Sequence, residues 1–460
     1  MTPYRVAVTR YEPSGDSVRR AVGMAGGLEA SGVRPAGAHV FIKPNIVFWT
    51  RAVPFPKWGV ITTSRVVEEM VALLKDSGAG RIVIGEGIVT RDPKDAQTPA
   101  HAFEQLGYDA LARKYGVEVV NLMSRPFKRV ELGDDCALRF STEVLDADLV
   151  VDLPVLKTHG QTVVSLGIKN LKGTLDIPSR KKCHSPDPNR DLHFWVAKLA
   201  DRLPPIFTLI DGIYTIERGP AFDGRPHRRD ILAASADVLS ADLVGSALLG
   251  HPPEGVPHLV HAAASRGRPI DRSDIEVVGE PVEALAAHHA FDYDYARTED
   301  GDWLPAPLVK AGIRGISYRK YDTSMCTYCT VLNGVNLAAI RAAWTGTPWD
   351  RVEVLTGKFM APTPGMKKTI LVGKCIYNAH KDHPDIAEMI PVKGCPPDPD
   401  DMVAAFHKAG IQVDPGLYRG IDHLPGFFME RYKDRPEFDE GFFRVAEEGS
   451  TGLDQRRTRP

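Results

Sequence analysis

Strand-like and helix-like segments alternate through the first 150 residues of this 460-residue chain. Short apolar runs predict strands at residues 4–9, 39–42, 81–84 and 117–122. Apolar residues at helical spacing predict helices between them, at residues 17–30, 64–77 and 102–115. This β-α-β-α order is typical of a mostly parallel sheet with helices on both faces. The chain is therefore predicted to be an α/β protein.

The alternation continues to about residue 250 and resumes later in a smaller unit. Further strands are predicted at residues 207–211 and 231–234, and further helices at 192–203 and 240–249. Residues 265–320 are polar, rich in Gly and Pro, and read as the connection between two units. Beyond them, strands are predicted at 352–355, 369–372 and 389–392, with helices at 337–344 and 399–409. We therefore predict an α/β domain at residues 1–290, a connection at 291–314, a smaller α/β domain at 315–445 and a tail at 446–460.

Composition narrows the class of protein. Hydrophobic residues make up 43% and charged residues 25% of the chain, as in globular proteins. The formal net charge of -2 gives no reason to expect nucleic acid as a partner. No apolar run reaches the ~18 residues of a membrane span, and the first residues lack the apolar region of a signal peptide. A cytoplasmic location without a membrane partner is the resulting prediction.

A cationic segment follows the apolar run that ends near residue 156. Within residues 153–184, glycines alternate with basic side chains, namely Lys157, His159, Lys169, Lys172, Lys181, Lys182 and His184. Loops at the carboxyl ends of parallel strands are where open α/β sheets bind ligands. Such a segment suits an anionic or metal-bound ligand. The alternative is a solvated basic loop, because most lysine-rich segments lie on the protein surface.

Polar residues follow two earlier predicted strands as well. Lys43 and Asn45 come after the strand at 39–42, and Glu86 comes after the strand at 81–84. Thr62 and Thr63 stand directly before a predicted helix. Because parallel strands end at one edge of the sheet, we expect these side chains to converge with the segment 157–184.

Acidic residues form the next candidates. Asp211 ends a predicted strand and Glu217 lies just beyond it, so either suits a catalytic role at the sheet edge. The alternative is a salt bridge with Arg218 or Arg225. Two further acids flank the start of the helix at 240–249, and capping of that helix is the preferred interpretation for both, Asp237 and Asp242.

Four of the six cysteines fall in the smaller unit. Cys326 and Cys329 form a C-x-x-C pair, and Cys375 and Cys395 each directly follow a predicted strand. Four converging thiolates suit a 4Fe-4S cluster or a structural zinc ion. A cluster is favoured because only one cysteine pair is closely spaced; unliganded core cysteines are the third alternative. His380 and His383 lie close to Cys375 and could replace a ligand, although a solvated loop is the preferred interpretation. Cys136 and Cys183 are interpreted as lone thiols, with a site role open for Cys183 because it directly precedes His184.

The turn at residues 394–399, GCPPDP, resembles the G-C-P-P turn in the small iron–sulfur subunits of nickel–iron hydrogenase and respiratory NADH dehydrogenase. In those subunits the turn supplies one cysteine of a cubane cluster at the edge of a flavodoxin-like sheet. The resemblance covers about six residues and the general placement of cysteines after strands. It implies a cluster ligand at Cys395.

A second resemblance spans about residues 4–280. Its pieces, in order, are IKPN at 42–45, TT at 62–63, RIVIG at 81–85, ADLV at 147–150, LKTH at 156–159, GIKNLKG at 167–173, IDGI at 210–213 and SAD at 240–242. This order resembles the family called domain of unknown function 362, which implies an α/β fold and often iron–sulfur cysteines, but no assigned reaction. The chain departs from the family at Glu86, where an aspartate is usual.

A fainter likeness involves the nickel-pincer lactate racemases. That family places a catalytic histidine, a cofactor-bearing lysine and a metal-ligating histidine in a comparable segment. His159, Lys169 and His184 stand in the same order here, although the glycine-rich surroundings of that lysine are absent. In both cases a histidine that can transfer a proton stands near a lysine that can bind an anion.

Together these patterns predict an iron–sulfur enzyme. The predicted chemistry is a redox conversion of a small anionic organic substrate at a cleft between the domains, with a possible electron-donor protein. Catalytic roles are predicted for His159, Lys169, Glu217 and Asp211; substrate binding for Lys43, Asn45, Lys157, Lys172 and His184; and cluster binding for Cys326, Cys329, Cys375 and Cys395. A racemase, isomerase or lyase with a structural cluster, and a non-catalytic electron carrier, are the alternatives.

Overall fold

A computed structural model describes residues 3–13, 16–92 and 94–445. The strands are β1 (Tyr4–Arg10), β2 (His39–Pro44), β3 (Arg81–Glu86), β4 (Glu118–Asn121), β5 (Phe127–Gly133), β6 (Cys136–Ser141), β7 (Leu149–Leu153), β8 (Val155–His159), β9 (Val163–Ser165), β10 (Ile206–Glu217), β11 (Arg225–Ser235), β12 (Ile275–Gly279), β13 (Tyr295–Arg297), β14 (Trp303–Pro305), β15 (Ile316–Tyr318), β16 (Val352–Leu355), β17 (Lys368–Val372) and β18 (Met389–Val392). The helices are α1 (Ser17–Met24), α2 (Ser64–Asp76), α3 (Gln97–Gln105), α4 (Tyr108–Tyr115), α5 (Thr142–Leu145), α6 (Gly167–Asn170), α7 (Ile177–Cys183), α8 (Leu192–Ala197), α9 (Val238–Leu248), α10 (Pro257–Ser265), α11 (Val282–Leu285), α12 (Ala306–Lys310), α13 (Thr327–Ala342), α14 (Lys374–His380), α15 (Pro399–Lys408), α16 (Pro415–Arg419) and α17 (Gly426–Met429).

The main sheet has ten strands and mixed polarity. Its central path runs β12-β1-β11-β10-β7-β2-β3-β4, and β8 joins β10 to β9. Strands β10, β7, β2, β3 and β4 run parallel to one another along this path. Strand β11 runs antiparallel to both β10 and β1. Strand β9 also runs antiparallel to its neighbour, β8. The prediction of a mostly parallel α/β sheet is therefore confirmed, with antiparallel pairing at β11 and β9.

Both faces of the main sheet are buried under helices. Along β2, Val40 and Ile42 enter one apolar cluster, whereas Phe41 between them enters the other. Helix α2 covers the first face with residues such as Val67, and α9 covers the second with residues such as Leu243. This alternation follows from the two-residue period of a strand, and burial on both faces explains why the strand sequences are continuously apolar.

A smaller sheet of four parallel strands, β15-β16-β17-β18, lies in the second half of the chain. Its apolar cluster includes Ile370 and Phe406. The last described segment returns to the main sheet, where Tyr432 and Phe438 pack around Trp58. The domain boundaries stay a prediction, and the predicted tail at 446–460 lies outside the described residues.

Several elements differ from the sequence-based expectation. The helix expected at residues 102–115 is divided into α3 and α4 at Gly107, whose φ of 73° suits a residue without a side chain. Residues 265–320 are not only a connection, because β12 pairs in parallel with β1 and extends the main sheet. The hairpin β5–β6 was not expected. Local pattern does not reveal such edge pairings, which depend on the partner strand.

None of the helices in the described part of the chain combines the length and apolar character needed to cross a lipid bilayer.

Candidate functional site

The carboxyl ends of β2 and β3 meet at a buried ion pair. Lys43 Nζ donates to Glu86 Oε2 at 2.7 Å, and neither side chain is appreciably exposed. Glu86 also accepts hydrogen bonds from the backbone N–H groups of Ile46 and Gly87. Burial lowers the pKa of Lys43, and the Glu86 carboxylate opposes that shift. This pair is internally balanced, because charge and hydrogen bonds on both partners are satisfied within the protein.

An amide connects this ion pair to the basic segment. Asn170 Nδ2 donates to Asp152 Oδ1 at 2.8 Å, while Asn170 Oδ1 accepts from Lys43 Nζ at 3.4 Å. Burial raises the pKa of Asp152 well above its ordinary value. The second oxygen, Oδ2, has no hydrogen-bond partner among the described residues. A protonated Asp152 would carry its hydrogen there and avoid the cost of a buried charge.

Asn45 and Lys157, predicted to bind substrate, both contact the chain near Val60. Asn45 Nδ2 donates to the Val60 carbonyl at 2.6 Å, and Lys157 Nζ donates to the same oxygen at 2.9 Å. Thr62 Oγ1 accepts from the Asn45 backbone N–H and donates to the Leu153 carbonyl. The amide of Asn45 therefore anchors the loop before α2.

Asp211 also holds the start of α2. Its Oδ2 accepts from the backbone N–H and the hydroxyl of Thr63, at 2.7 and 2.8 Å, and its Oδ1 accepts from the Ile213 N–H. Burial raises the pKa of Asp211 to about 6, and the Thr63 hydrogen bonds oppose that rise. All these contacts are structural, so the geometry favours an anchoring role for Asp211.

The remaining predicted acids are separate from the lysines. Glu217 Oε1 lies 3.7 Å from Arg225 Nη1, the loop salt bridge considered as its alternative. Asp237 caps its own helix by accepting from the Ser240 N–H. Asp242 instead accepts from the N–H groups of Gly167 and Ile168, at 2.7 and 2.9 Å, and so fixes the start of α6. The expected capping of its own helix by Asp242 is therefore wrong, because the carboxylate points to a neighbouring helix.

Two lysine–histidine pairs dominate the basic segment. Lys169 Nζ lies 3.3 Å from His159 Nε2, and Lys172 Nζ lies 2.6 Å from His184 Nε2. Both histidines are buried, at 8% and 4% exposure. Helix α6 and the turn after it carry both lysines, which explains why they share one side of the site.

The hydrogen bonds of the two histidines define their protonation. His184 Nδ1 faces the Thr323 carbonyl at 3.2 Å, so it carries the proton and Nε2 accepts from Lys172. His159 Nδ1 accepts from the Gln161 backbone N–H at 3.0 Å, which leaves the proton of a neutral ring on Nε2. That proton points at Lys169 Nζ, and a neutral amine or a bridging anion would accept it.

Three lysines of the basic segment, buried Lys157 and half-buried Lys169 and Lys172, lack an acidic partner in the described structure. No ion pair with a carboxylate involves them among the described residues, in contrast to the buried Lys43. Burial lowers the pKa of Lys157 to about 7 and that of Lys172 to about 8, and it lowers the pKa of Lys169 well below its ordinary value. An external anion would supply the missing negative charge.

The four cysteines of the second half line one cavity of about 50 Å³. Cys326 precedes α13 and Cys329 lies in its first turn; Cys375 lies in the first turn of α14, and Cys395 follows β18. A hydrogen bond from the Cys329 thiol lowers the pKa of Cys326. Gly373, with φ of 97°, also lines the cavity; a Cβ there would lie 3.5 Å from Cys329 Sγ. Within the described ranges no three His, Cys, Asp or Glu side chains form a group suited to a single metal ion.

The basic segment is in direct contact with the chain just before the C-x-x-C pair and with Cys395. Gln161 Nε2 donates to the carbonyls of Asp322 and Met325, at 2.7 and 2.9 Å, just before the C-x-x-C pair. Lys181 Nζ lies 3.3 Å from Cys395 Sγ. A small cavity is lined on one side by Lys172 and His184 and on the other by Cys326. The two predicted sites therefore face each other.

Sequence reasoning did not single out three side chains near the segment, the buried His193 and His258 and the half-buried Arg180. The rings of His193 and His258 stack with centroids 5.9 Å apart, and neither nitrogen of His258 has a partner among the described residues. Burial lowers the pKa of both rings, and the positive charge of Lys169 adds to that shift. Arg180 donates to the carbonyls of Gly87 and Gly173 and so connects the chain just after β3 to the basic segment. The two histidines lie on separate helices with no shared motif, so no sequence signal connects them.

Comparison with known proteins identifies one matching family. The model of a domain of unknown function, DUF362, matches residues 40–247, which confirms the resemblance over that part of the chain. The thylakoid-associated protein sll1697 of Synechocystis sp. is 29% identical over 230 residues, covering 49% of this chain and 67% of that protein.

Two solved structures show weak similarity. The lactate racemase apoprotein from Thermoanaerobacterium thermosaccharolyticum has a TM-score of 0.29 and 16% identity, over 53% of this chain and 56% of that one. A Thermotoga maritima protein solved by a structural genomics consortium has a TM-score of 0.26 and 9% identity, over 56% and 60% of the two chains. The chain thus spans less than two thirds of either structure.

Proposed function

We propose that this protein is an iron–sulfur enzyme that carries out a redox conversion of a small anionic organic substrate. The observation that supports this proposal most strongly is that half-buried lysines without an acidic partner among the described residues lie next to the site formed by the four cysteines. Lys172 and His184 share a small cavity with Cys326. An anion held there would lie beside the cysteine site.

The cysteine set fits a cubane cluster better than zinc. A structural zinc ion needs four ligands that meet at one point, with sulfur at about 2.3 Å. A cubane instead offers each cysteine its own iron atom, so the thiolates have to surround a volume. Cys326, Cys329, Cys375 and Cys395 line one cavity, which suits the second requirement. The positively charged Lys181 beside Cys395 would offset the negative charge of a thiolate-bound cluster.

A bound cluster would supply single electrons, and four cysteine ligands would leave no open iron for direct substrate binding. The chain's own residues then have two tasks. Lys169 and Lys172 hold the anionic group, since neither has a carboxylate partner in the described part of the chain. His159 exchanges a proton with the substrate through Nε2, because its other nitrogen is fixed by the Gln161 N–H.

Anaerobic purification with iron and acid-labile sulfide analysis tests the proposal. We expect about four irons and four sulfides per chain. Cys395→Ser is expected to lose most of both. Cys136→Ser is the matched control, because Cys136 is a buried thiol of β6, outside the cysteine cavity. Stoichiometric zinc without sulfide in the wild-type protein would contradict the proposal.

A non-redox racemase, isomerase or lyase is the second candidate. It is favoured by the His159–Lys169 pair, in which two groups with lowered pKa values lie within 3.3 Å of each other and suit proton transfer. Turnover that persists in Cys395→Ser after complete loss of iron would favour this candidate. The cytoplasmic location and the electron-donor protein stay predictions.

A further inference from the structure

The described structure has a further cleft, separate from the basic site. It measures about 740 Å³ and lies between the loop after β2, residues 89–98, the start of α13 and the turn after β18. Its volume falls within the range of small-molecule sites, roughly 300–1,000 Å³. Neither the predicted substrate residues nor the four cysteines line it.

The walls of this cleft are mostly flat and apolar. Phe48 and Trp49 form one side, and Val331 and Leu332 of α13 form the other. Trp49 is only 6% exposed and is fixed by a hydrogen bond from Nε1 to His101 Nδ1 at 2.9 Å. Rigid aromatic and aliphatic faces of this kind favour a planar ring that stacks between them.

Hydrogen-bond donors lie at the rim. Arg51 donates to the neutral side chains of Gln97 and Thr98, and no ion pair with a carboxylate involves it in the described part of the chain. Asp95, which also lines the cleft, accepts from the hydroxyl and N–H of Thr98 and from the N–H of Gln97. A ligand with acceptor atoms on its ring edge would bind Arg51 without displacing a salt bridge.

Tyr328 connects this cleft to the cysteines. It is one of the two residues between the cysteines of the C-x-x-C pair, and it lines both the large cleft and the cysteine cavity. Its hydroxyl donates to the Thr90 carbonyl at 3.4 Å. Pro396 and Pro397 line both spaces as well, so a ligand in the cleft would be separated from the cysteine cavity by Tyr328 and these two prolines.

We propose that the cleft binds a planar aromatic molecule with hydrogen-bond acceptors on its ring. This inference goes beyond the proposed function and does not depend on a cluster. The chemistry is shared by isoalloxazines, naphthoquinones and purines, all of which present a flat ring with acceptor atoms.

Equilibrium dialysis of the anaerobically purified full-length protein tests the proposal with three probes: riboflavin, menadione and adenosine. We expect at least one probe to bind one to one, and the probe that binds identifies the ring type. Val331→Trp should weaken its binding at least tenfold by filling the cleft. Ala338→Trp is the matched control, since Ala338 is exposed on the same helix and lies outside the cleft; it should bind as the wild type does.

Arg51→Met provides a second variant that does not add bulk to α13, and it should weaken binding several-fold. Absence of binding for all three probes at millimolar concentration would overturn the proposal. So would equal affinity in Val331→Trp and the wild type when both show the same melting temperature. Iron content is measured on the same samples, so a missing cluster and a missing cleft ligand are told apart.

Discussion

Lysines at one sheet edge are compensated in opposite ways. Buried Lys43 forms an ion pair with Glu86 at 2.7 Å, and Asn170 extends that network. Half-buried Lys169 and Lys172 lie on either side of Asn170, but their hydrogen bonds within the described part of the chain go to histidine nitrogens. The same residue type is therefore neutralised internally at Lys43 and left without an acid, among the described residues, at Lys169 and Lys172.

This difference distinguishes a lysine that stabilises the fold, Lys43, from lysines that are suited to bind a ligand, Lys169 and Lys172. A buried charge is costly unless it is paired, so a protein that keeps unpaired lysines either lets them lose their protons or supplies an anion. The lowered pKa values of Lys169 and Lys172 show the first tendency in the free protein. Binding of an anion would reverse it, raising both pKa values and restoring the charge.

The largest expected effect is on the compensated pair. Lys43→Met removes the partner of a buried carboxylate, and loss of one partner of such a pair costs about 3–5 kcal/mol. The free energy of unfolding, measured by urea denaturation, should fall by that amount. The double variant Lys43→Met/Glu86→Gln should recover much of the loss, because no unpaired charge remains. Equal destabilisation in the single and double variants would mean that packing, and not charge, accounts for the effect.

Mutation of Lys169 should have the opposite effect on stability from mutation of Lys43. Lys169→Met removes a half-buried cation that has no carboxylate partner among the described residues, so the melting temperature should stay the same or rise. Affinity for a small anion, measured by calorimetry with oxalate and with phosphate, should fall about tenfold to a hundredfold, the equivalent of 1.5–3 kcal/mol for a charged hydrogen bond.

Lys182→Met is the control for that measurement. Lys182 belongs to the same segment, but it is exposed and lies over the Trp195 ring at 4.8 Å. Its replacement should leave anion affinity unchanged. If Lys169→Met bound both anions as tightly as Lys182→Met, the lysine–histidine pairs would not be the anion site.

The smallest effect concerns Asp211, which is buried like Glu86 but, within the described ranges, is hydrogen-bonded to Thr63 and Ile213 and to no basic side chain. Burial raises its pKa from 3.8 to about 6. Between these values the folded protein keeps a proton that the unfolded chain has lost, so stability falls as pH rises from about 4 to 6. Asp211→Asn lacks this titration. The wild-type melting temperature should therefore decrease relative to that of Asp211→Asn across this window, and a pH-independent difference would contradict the assignment.

The sequence predicted the convergence of strand ends because parallel strands share an edge. That rule alone predicted that Lys43 and Glu86 would lie close together. Lys169 and Lys172 were predicted as site residues because many basic side chains and glycines occur together in their segment. The spacing of the cysteines after strands likewise predicted that they would share one cavity.

Other features depend on side-chain direction, which pattern does not encode. Asp211 and Asn45 lie where the rule puts site residues, yet both turn inward to anchor the loop and start of α2. Asp242 reaches across to α6 instead of capping its own helix. The stacked His193 and His258 come from helices that only tertiary packing brings together.

Anomalous diffraction from a crystal soaked in sodium bromide tests the central claim most directly, because bromide is a small anion whose position is measured without knowledge of the substrate. The account predicts bromide at the lysine–histidine pairs, in contact with Lys169 or Lys172 Nζ, and none at Lys43, where Glu86 already supplies the negative charge. Bromide confined to exposed surface lysines, with none at Lys169 or Lys172, would contradict it.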